Sequence, residues 1–213
     1  MARWGAMTRV YLETGPKKVF ACSLDWPGWC RVAKGEEAAL DLLMEYEPRY
    51  GVIAARAGLE FSPGDPVVVA RVPGSDMTDF GAPYAVPDLD EEPLPAAEAE
   101  RGVALLRAAW ALFDETAALS PEDLRKGPRG GGRDLSRIVD HVLNAERAYA
   151  RKVDVRHKPY KSPGDRDAMR AELAEVLSRP WEPPRTTGWP PRYALRRLAW
   201  HVIDHLWEIE DRR

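Results

Sequence analysis

The chain has 213 residues, of which 45% are hydrophobic and 31% charged, and its net charge is -3. This composition is typical of a globular protein with one large or two small domains. It shows no basic cluster that would predict binding to nucleic acid or to an anionic membrane surface. The chain has no run of 18 apolar residues and no signal-peptide pattern at its start, so a cytoplasmic location is expected.

The first part of the chain shows a β, α, β order. Apolar and β-branched runs at 10–12 and 18–24, separated by a Thr-Gly-Pro turn, predict a hairpin. Apolar residues then recur at spacings of three and four over 35–46, which predicts a helix that Pro48 ends. A third strand is expected at 66–72. Two or three strands and a helix therefore predict a small α/β module.

This module is expected to span residues 1–72, and a Pro-rich linker is expected to follow at 73–95. The module contains the only two cysteines of the chain, Cys22 and Cys30. Two cysteines are too few for a disulfide framework, and their spacing is not that of a Cys-x-x-Cys motif. We therefore expect both to be reduced and structural.

The rest of the chain, residues 96–213, is predicted to be helical. Ser120 and Pro121 resemble a helix cap followed by proline at the first helical position. The long periodic segments that predict helices are 96–119, 133–153, 165–178 and 191–212. Four such helices, with a long Pro-rich connection before the last, predict a four-helix bundle. The fold class expected for the whole chain is α+β.

Two histidines stand one turn apart in the last predicted helix, within "LAWHVIDHLWEIEDR". His205 lies about 40° around the helix from His201, and the two Cβ atoms are expected about 5–6 Å apart. Both residues border the apolar stripe instead of lying within it. This spacing allows two imidazoles to bind one metal ion.

A third histidine, His141, borders the apolar stripe of the second predicted helix. If these two helices are neighbours, three imidazoles meet, and three histidines with an open fourth position are a ligand set of catalytic zinc sites. The alternative is that the histidines are solvated or hydrogen-bonded residues, because a His-x-x-x-His pattern also arises by chance. The fourth histidine, His157, lies in a predicted exposed loop.

These motifs, "IVDHVLNAE" in the second helix and "LAWHVIDHLWEIEDR" in the last, resemble the DinB-like superfamily over residues 96–213. The resemblance implies an up-up-down-down four-helix bundle that binds a divalent metal, zinc or nickel, through His141, His201 and His205. It also implies a metal-dependent thiol transferase or isomerase with a low-molecular-weight thiol as cosubstrate, and a homodimer.

Four other residues are candidates for a role at this site. Glu146 falls inside the apolar arc of the second helix, where its carboxylate needs a partner. It either supports a ligand or acts as a base, or it pairs with an arginine of the first or fourth helix. Glu208 follows the histidine pair and is placed to orient an imidazole. Arg129 and Arg133 precede the second helix, where an anionic cosubstrate could bind.

The first module resembles the HicB-type family in its Trp-Pro-Gly-Trp-Cys turn at 26–30 and in Glu36-Glu37-Ala38 at the start of its helix. The chain lacks the DNA-binding tail of antitoxins, so the resemblance does not imply a regulator. The alternative to an enzyme is a non-catalytic stress-response or partner-binding module that uses the bundle for dimerisation. Neither nucleic acid nor a membrane is expected as a partner.

Overall fold

The chain divides into two compact units, Met1–Glu92 and Pro93–Arg213. The computed structural model describes residues 7–126, 132–184 and 187–213. The first unit contains a β-sheet with short helices, and the second contains long helices. The fold class is therefore α+β, as the sequence predicts.

The sheet of the first unit has four strands in the order β3-β2-β1-β4. The strands are β1 (Met7–Thr14), β2 (Val19–Ser23), β3 (Cys30–Ala33) and β4 (Asp65–Pro73). The β1–β2 and β2–β3 pairs are antiparallel, and β4 runs parallel to β1. The sequence does not predict β3, because four residues directly after a Trp-Pro-Gly turn are too short to show a period of two.

Two helices, not one, follow the third strand. They are α1 (Glu36–Glu45), which contacts β2 and β3, and α2 (Glu47–Arg56). The prediction that Pro48 ends a helix is correct for α1, but Pro48 also lies in the first turn of α2. Proline is favoured there because the amide hydrogen that it lacks would have no helical acceptor.

The segment predicted as a linker belongs largely to the first unit and contains a short helix, α3 (Asp76–Phe80). The buried carboxylate of Glu13 on β1 holds this segment in place. It accepts hydrogen bonds from the Thr78 hydroxyl at 2.6 Å and from the backbone amides of Tyr84 and Ala85 at 3.0 and 2.9 Å. Three donors on one carboxylate explain how a Pro- and Gly-rich stretch is ordered.

The second unit contains four long helices among its described residues. They are α4 (Ala96–Ala118), α5 (Leu135–Ala150), α6 (Pro163–Leu177) and α7 (Pro191–Arg212). Short 3-10 helices also occur, at Asp88–Glu91 in the first unit and at Arg151–Val153 after α5. The prediction of a helix start at Ser120 and Pro121 is wrong, because residues 120–126 have no helical turn. Their backbone is held instead by contacts to neighbouring segments, such as the Arg125 amide bonded to the Arg212 carbonyl.

The main contacts of α7 are with α4 and α5, and α6 also contacts both of these helices. The approach of α4 to α7 is close, since a Cβ added to Gly102 would lie 2.7 Å from a methyl carbon of Leu195. With neighbours on two sides, α7 is buried over most of its surface. No described helix has the length and apolar character needed to cross a membrane.

Candidate metal centre

Three histidines from two helices meet at one point, as the sequence predicts. His141 on α5 and His201 and His205 on α7 each offer one ring nitrogen, and these nitrogens all lie within 4.8 Å of one another. The Nε2 atoms of His141 and His201 are 3.2 Å apart. The ring centroids are separated by 4.8 to 5.0 Å. The three rings therefore converge on one small volume.

The burial of the three rings follows from the central position of α7. His201 is only 5% exposed, although the helical pattern alone places it at the edge of the apolar stripe. The reason is that α7 packs against two helices, α4 and α5. A residue at the edge of the interface with one of these helices is covered by the other helix. His141 and His205 are partly exposed, so the cluster is not completely enclosed by the protein.

Burial keeps two of the imidazoles uncharged. It lowers the pKa of His141 to about 4, and electrostatic interactions with His205 and Arg133 act in the same direction. Burial, together with the neighbouring histidines, holds the pKa of His201 well below its usual value. Neutral imidazoles have the lone pair that a metal ligand needs, so these rings are ready to bind a cation at neutral pH.

Glu208 holds the third imidazole by its other nitrogen. Its carboxylate lies 2.7 Å from His205 Nδ1 and accepts a hydrogen bond from Arg212 at 2.7 Å. Burial favours the neutral acid, but these two partners outweigh it and lower the pKa of Glu208. Arg212 also donates to the backbone carbonyls of Arg125 and Arg133. A carboxylate bonded to Nδ1 leaves His205 Nε2 as the ligand atom, which is the usual arrangement behind a metal-binding histidine.

The polar contacts of His201 lie on its Nε2 side, toward His141. Its Nδ1 is buried and has no hydrogen-bond partner in the described part of the chain. Aromatic rings cover the rest of the imidazole. Tyr149 presents an edge at 5.5 Å between centroids, and Trp200 lies at 5.9 Å.

Arg197 and one further aromatic residue, Trp189, pack against these aromatic rings. The Arg197 guanidinium donates to the Tyr149 hydroxyl at 3.2 Å and lies 4.5 Å from the ring centre of Trp200. Trp189 packs on Tyr149 at 5.2 Å, and its backbone amide bonds to the Lys152 carbonyl. Trp189, which precedes α7, therefore contacts Tyr149, and Tyr149 in turn contacts His201.

Glu146 does not act on the cluster through any described contact, and its predicted partner is wrong. Its carboxylate is 1% exposed and accepts two hydrogen bonds, both 3.1 Å long, from Arg170 on α6 instead of an arginine of the first or last helix. Arg170 also donates to Asp114 on α4 at 2.8 Å. Burial raises the pKa of Glu146 despite these partners. Burial alone would lower the pKa of Arg170, but the charges of Glu146 and Asp114 outweigh it and raise that pKa. This network joins three helices.

The other predicted residues have different outcomes. Arg133 is exposed and interacts electrostatically with His141 and His201. Arg129 lies outside the described residues. His157 lies 2.7 Å from the Glu172 carboxylate, away from the cluster.

No role is predicted for Tyr149 or Arg197 from the sequence, although the helical pattern places both near the predicted ligands. Arg197 precedes His201 by one helical turn, and Tyr149 follows His141 by two turns, so each shares a face with a predicted ligand. Extending the helical geometry to every polar or aromatic residue on those faces would have identified both.

Replacing Glu208 by glutamine tests its support of His205. We expect zinc affinity to fall about 10–100-fold, the range for loss of a hydrogen-bond partner behind a metal ligand. Competition with a fluorescent chelator measures the affinity. Glu175→Gln is the matched control, because Glu175 also pairs with an arginine four residues away but is exposed. Equal affinities for the two variants would show that Glu208 does not support the site.

Searches of protein-family models, curated proteins and solved structures find no match to this chain. The geometry of the site is therefore the basis for assigning a function.

Proposed function

We propose that the second unit is a DinB-like four-helix bundle that binds a divalent metal, zinc or nickel, through His141, His201 and His205. The observation that carries the proposal is the convergence of three ring nitrogens within 4.8 Å of one another. The order of the four helices and the placement of the histidines on the second and last of them support the assignment.

The distance between the ligand nitrogens of His141 and His201 fits a tetrahedral metal site. Zinc–nitrogen bonds of about 2.0–2.1 Å at tetrahedral angles place two ligand nitrogens about 3.3 Å apart. The Nε2 atoms of His141 and His201 are 3.2 Å apart. Three nitrogen donors suit zinc and nickel, whereas magnesium and calcium prefer oxygen ligands. The residues present thus fit the group that the resemblance implies.

Three protein ligands leave a coordination position for an exogenous group. A bound metal of this type supplies a Lewis acid that lowers the pKa of a thiol, so that the nucleophilic thiolate is present at neutral pH. We therefore propose a transferase or isomerase that uses a low-molecular-weight thiol. The second substrate would be a small electrophile.

The residues around the cluster supply binding and orientation. Arg197 is a buried cation, 5% exposed, fixed against Tyr149 and Trp200, and it is placed to attract the carboxylate of a thiol cosubstrate. The ring of Tyr149 packs against His201, and Trp189 packs on Tyr149, which supports an apolar boundary on this side of the cluster. Glu208 orients His205.

Thiol conjugation with and without metal tests the proposed activity. We expect zinc- or nickel-loaded protein to accelerate the reaction of a small thiol with a model electrophile, and His201→Ala to lose this acceleration. His157→Ala is the matched control, because His157 is bonded to Glu172 outside the cluster. A panel of thiols that shows no metal-dependent rate, with protein that has bound metal, would contradict the enzymatic part of the proposal.

A non-catalytic role in partner binding is the second candidate. The observation that favours it is the exposure of apolar side chains on the sheet of the first unit: Met7 is 66% exposed, Val69 44% and Val67 37%. Exposed apolar groups of this kind are common at protein interfaces. Metal binding without any thiol-dependent turnover would favour this role.

A further inference from the structure

The two cysteines of the chain face each other across neighbouring strands. Cys22 on β2 and Cys30 on β3 are direct partners in the antiparallel register. Side chains of directly opposed residues point to the same face of a sheet. Both cysteines are reduced and buried, at 0% and 1% exposure. Eight positions along the chain thus separate two thiols that the fold places side by side.

The hydrogen bonding of the hairpin identifies the type of pair. The Ser23 amide donates to the Trp29 carbonyl at 2.9 Å, so these residues form a hydrogen-bonded pair next to the cysteines. Because the two types of pair alternate, Cys22 and Cys30 form a non-hydrogen-bonded pair, whose Cα atoms are about 4.5 Å apart. Disulfides span Cα separations of about 4.4–6.8 Å. The register therefore places the two cysteines at a backbone separation that a disulfide can span.

The turn between the two strands is fixed by its own contacts. The Trp26 amide donates to Ser23 Oγ at 3.0 Å, and the Trp29 amide donates to the Trp26 carbonyl at 3.1 Å. The Trp29 indole donates to the Leu43 carbonyl at 2.9 Å, and the Tyr50 hydroxyl donates to the Pro27 carbonyl at 2.8 Å. A turn held in this way keeps the cysteines in register, which raises the effective concentration of one thiol near the other.

We propose that Cys22 and Cys30 form a redox-active pair that is oxidised to a cross-strand disulfide by low-molecular-weight disulfides. The thiolate of one cysteine attacks the small disulfide, forming a mixed disulfide and releasing one small thiol. The second cysteine then attacks the protein sulfur of that mixed disulfide and releases the second small thiol. In balance, one small disulfide is reduced to two thiols while two protein thiols become one disulfide and supply the two protons.

This pair goes beyond the proposed metal function and does not depend on it. Both cysteines belong to the first unit, whereas the three histidines belong to the second. The sequence alone predicts reduced, structural cysteines, because it shows only their spacing. The strand register supplies the further fact that they are opposed.

Redox equilibration of the full-length protein tests the proposal. Protein is brought to equilibrium from both the reduced and the oxidised side in a buffer of reduced and oxidised glutathione, without urea and in concentrated urea. Alkylation and mass spectrometry of the peptide containing both cysteines then give the ratio of disulfide to dithiol. We expect this ratio to be at least about tenfold higher in the folded protein, because the fold aligns the two sulfurs.

Because both cysteines are buried, a small disulfide could reach them too slowly in the folded protein for equilibrium. Samples are therefore also refolded from urea in the same buffer, so that the thiols react before they become buried. The proposal would be overturned if the ratio of disulfide to dithiol in the folded protein were equal to or below the ratio in urea, and if refolded samples gave the same result. A disulfide formed between two chains, seen on a non-reducing gel, would do the same.

Single substitutions separate an internal disulfide from simple thiol modification. We expect Cys22→Ser and Cys30→Ser, folded by circular dichroism, to yield no internal disulfide and at most one bound glutathione. Modification of both thiols by glutathione in the unsubstituted protein would contradict the pairing. His201→Ala should show the unchanged ratio of disulfide to dithiol, so that failure of the metal proposal is distinguishable from failure of this one.

Discussion

Protein equilibrated with excess zinc and then desalted is expected to retain one zinc ion per chain, measured by plasma emission spectroscopy together with protein concentration. The reason is that three imidazole nitrogens already lie within 4.8 Å of one another, so the fold brings the ligands together before the metal binds. Retained nickel would follow the same stoichiometry.

Substitution His201→Ala is expected to abolish this retention. Zinc binding free energies of about 10–16 kcal/mol in four-ligand sites correspond to about 3 kcal/mol per ligand, or a loss in affinity of more than about 100-fold. His157→Ala, which removes the histidine outside the cluster, should retain the metal fully. Equal loss in the two variants, or retention in both, would show that zinc binds elsewhere.

The largest loss of stability is expected from Arg170→Met. The substitution leaves the buried carboxylate of Glu146 without its guanidinium partner, and removal of one member of a buried pair costs about 3–5 kcal/mol. Urea unfolding followed by far-ultraviolet circular dichroism measures the change. The double substitution Glu146→Leu with Arg170→Met should be more stable than Arg170→Met alone, because it removes the uncompensated charge.

Arg179→Met is the matched control for this prediction. Arg179 also lies near a glutamate, Glu175, at 2.6 Å, but both side chains are more than 60% exposed. Exposed pairs contribute about 0–1 kcal/mol, so the control should unfold almost as the unsubstituted protein does. If Arg170→Met lost no more stability than Arg179→Met, the network of Glu146, Arg170 and Asp114 would not stabilise the second unit.

Helical periodicity predicts the parts of the site that lie along one helix. The segments 133–153 and 191–212 are recognisable from residues spaced by three and four, and the same geometry places His201 and His205 on one side of α7. The burial of His201 could not be predicted in this way, because it depends on α7 having two neighbouring helices. The partner of Glu146 could not be predicted either, because the spacing of residues within one helix does not show which other helix supplies the arginine.

Features that depend on contacts between distant segments were the least predictable. The Pro-rich composition of segment 73–95 predicts a linker without fixed structure. The segment is ordered because it bonds to Glu13, which lies more than 60 positions earlier in the chain. The opposed cysteines likewise depend on β3, a strand too short to be recognised from its residues. In both cases a pairing across the fold determines the structure.

The most direct test of the proposed metal centre is X-ray absorption spectroscopy of the zinc-loaded protein, before and after addition of a small thiol. We predict three nitrogen neighbours at about 2.0–2.1 Å with a light fourth ligand, replaced on addition of the thiol by sulfur at about 2.3 Å. His201→Ala should lose one nitrogen neighbour or fail to bind zinc. A spectrum with only oxygen neighbours, or one identical in His201→Ala, would contradict the account.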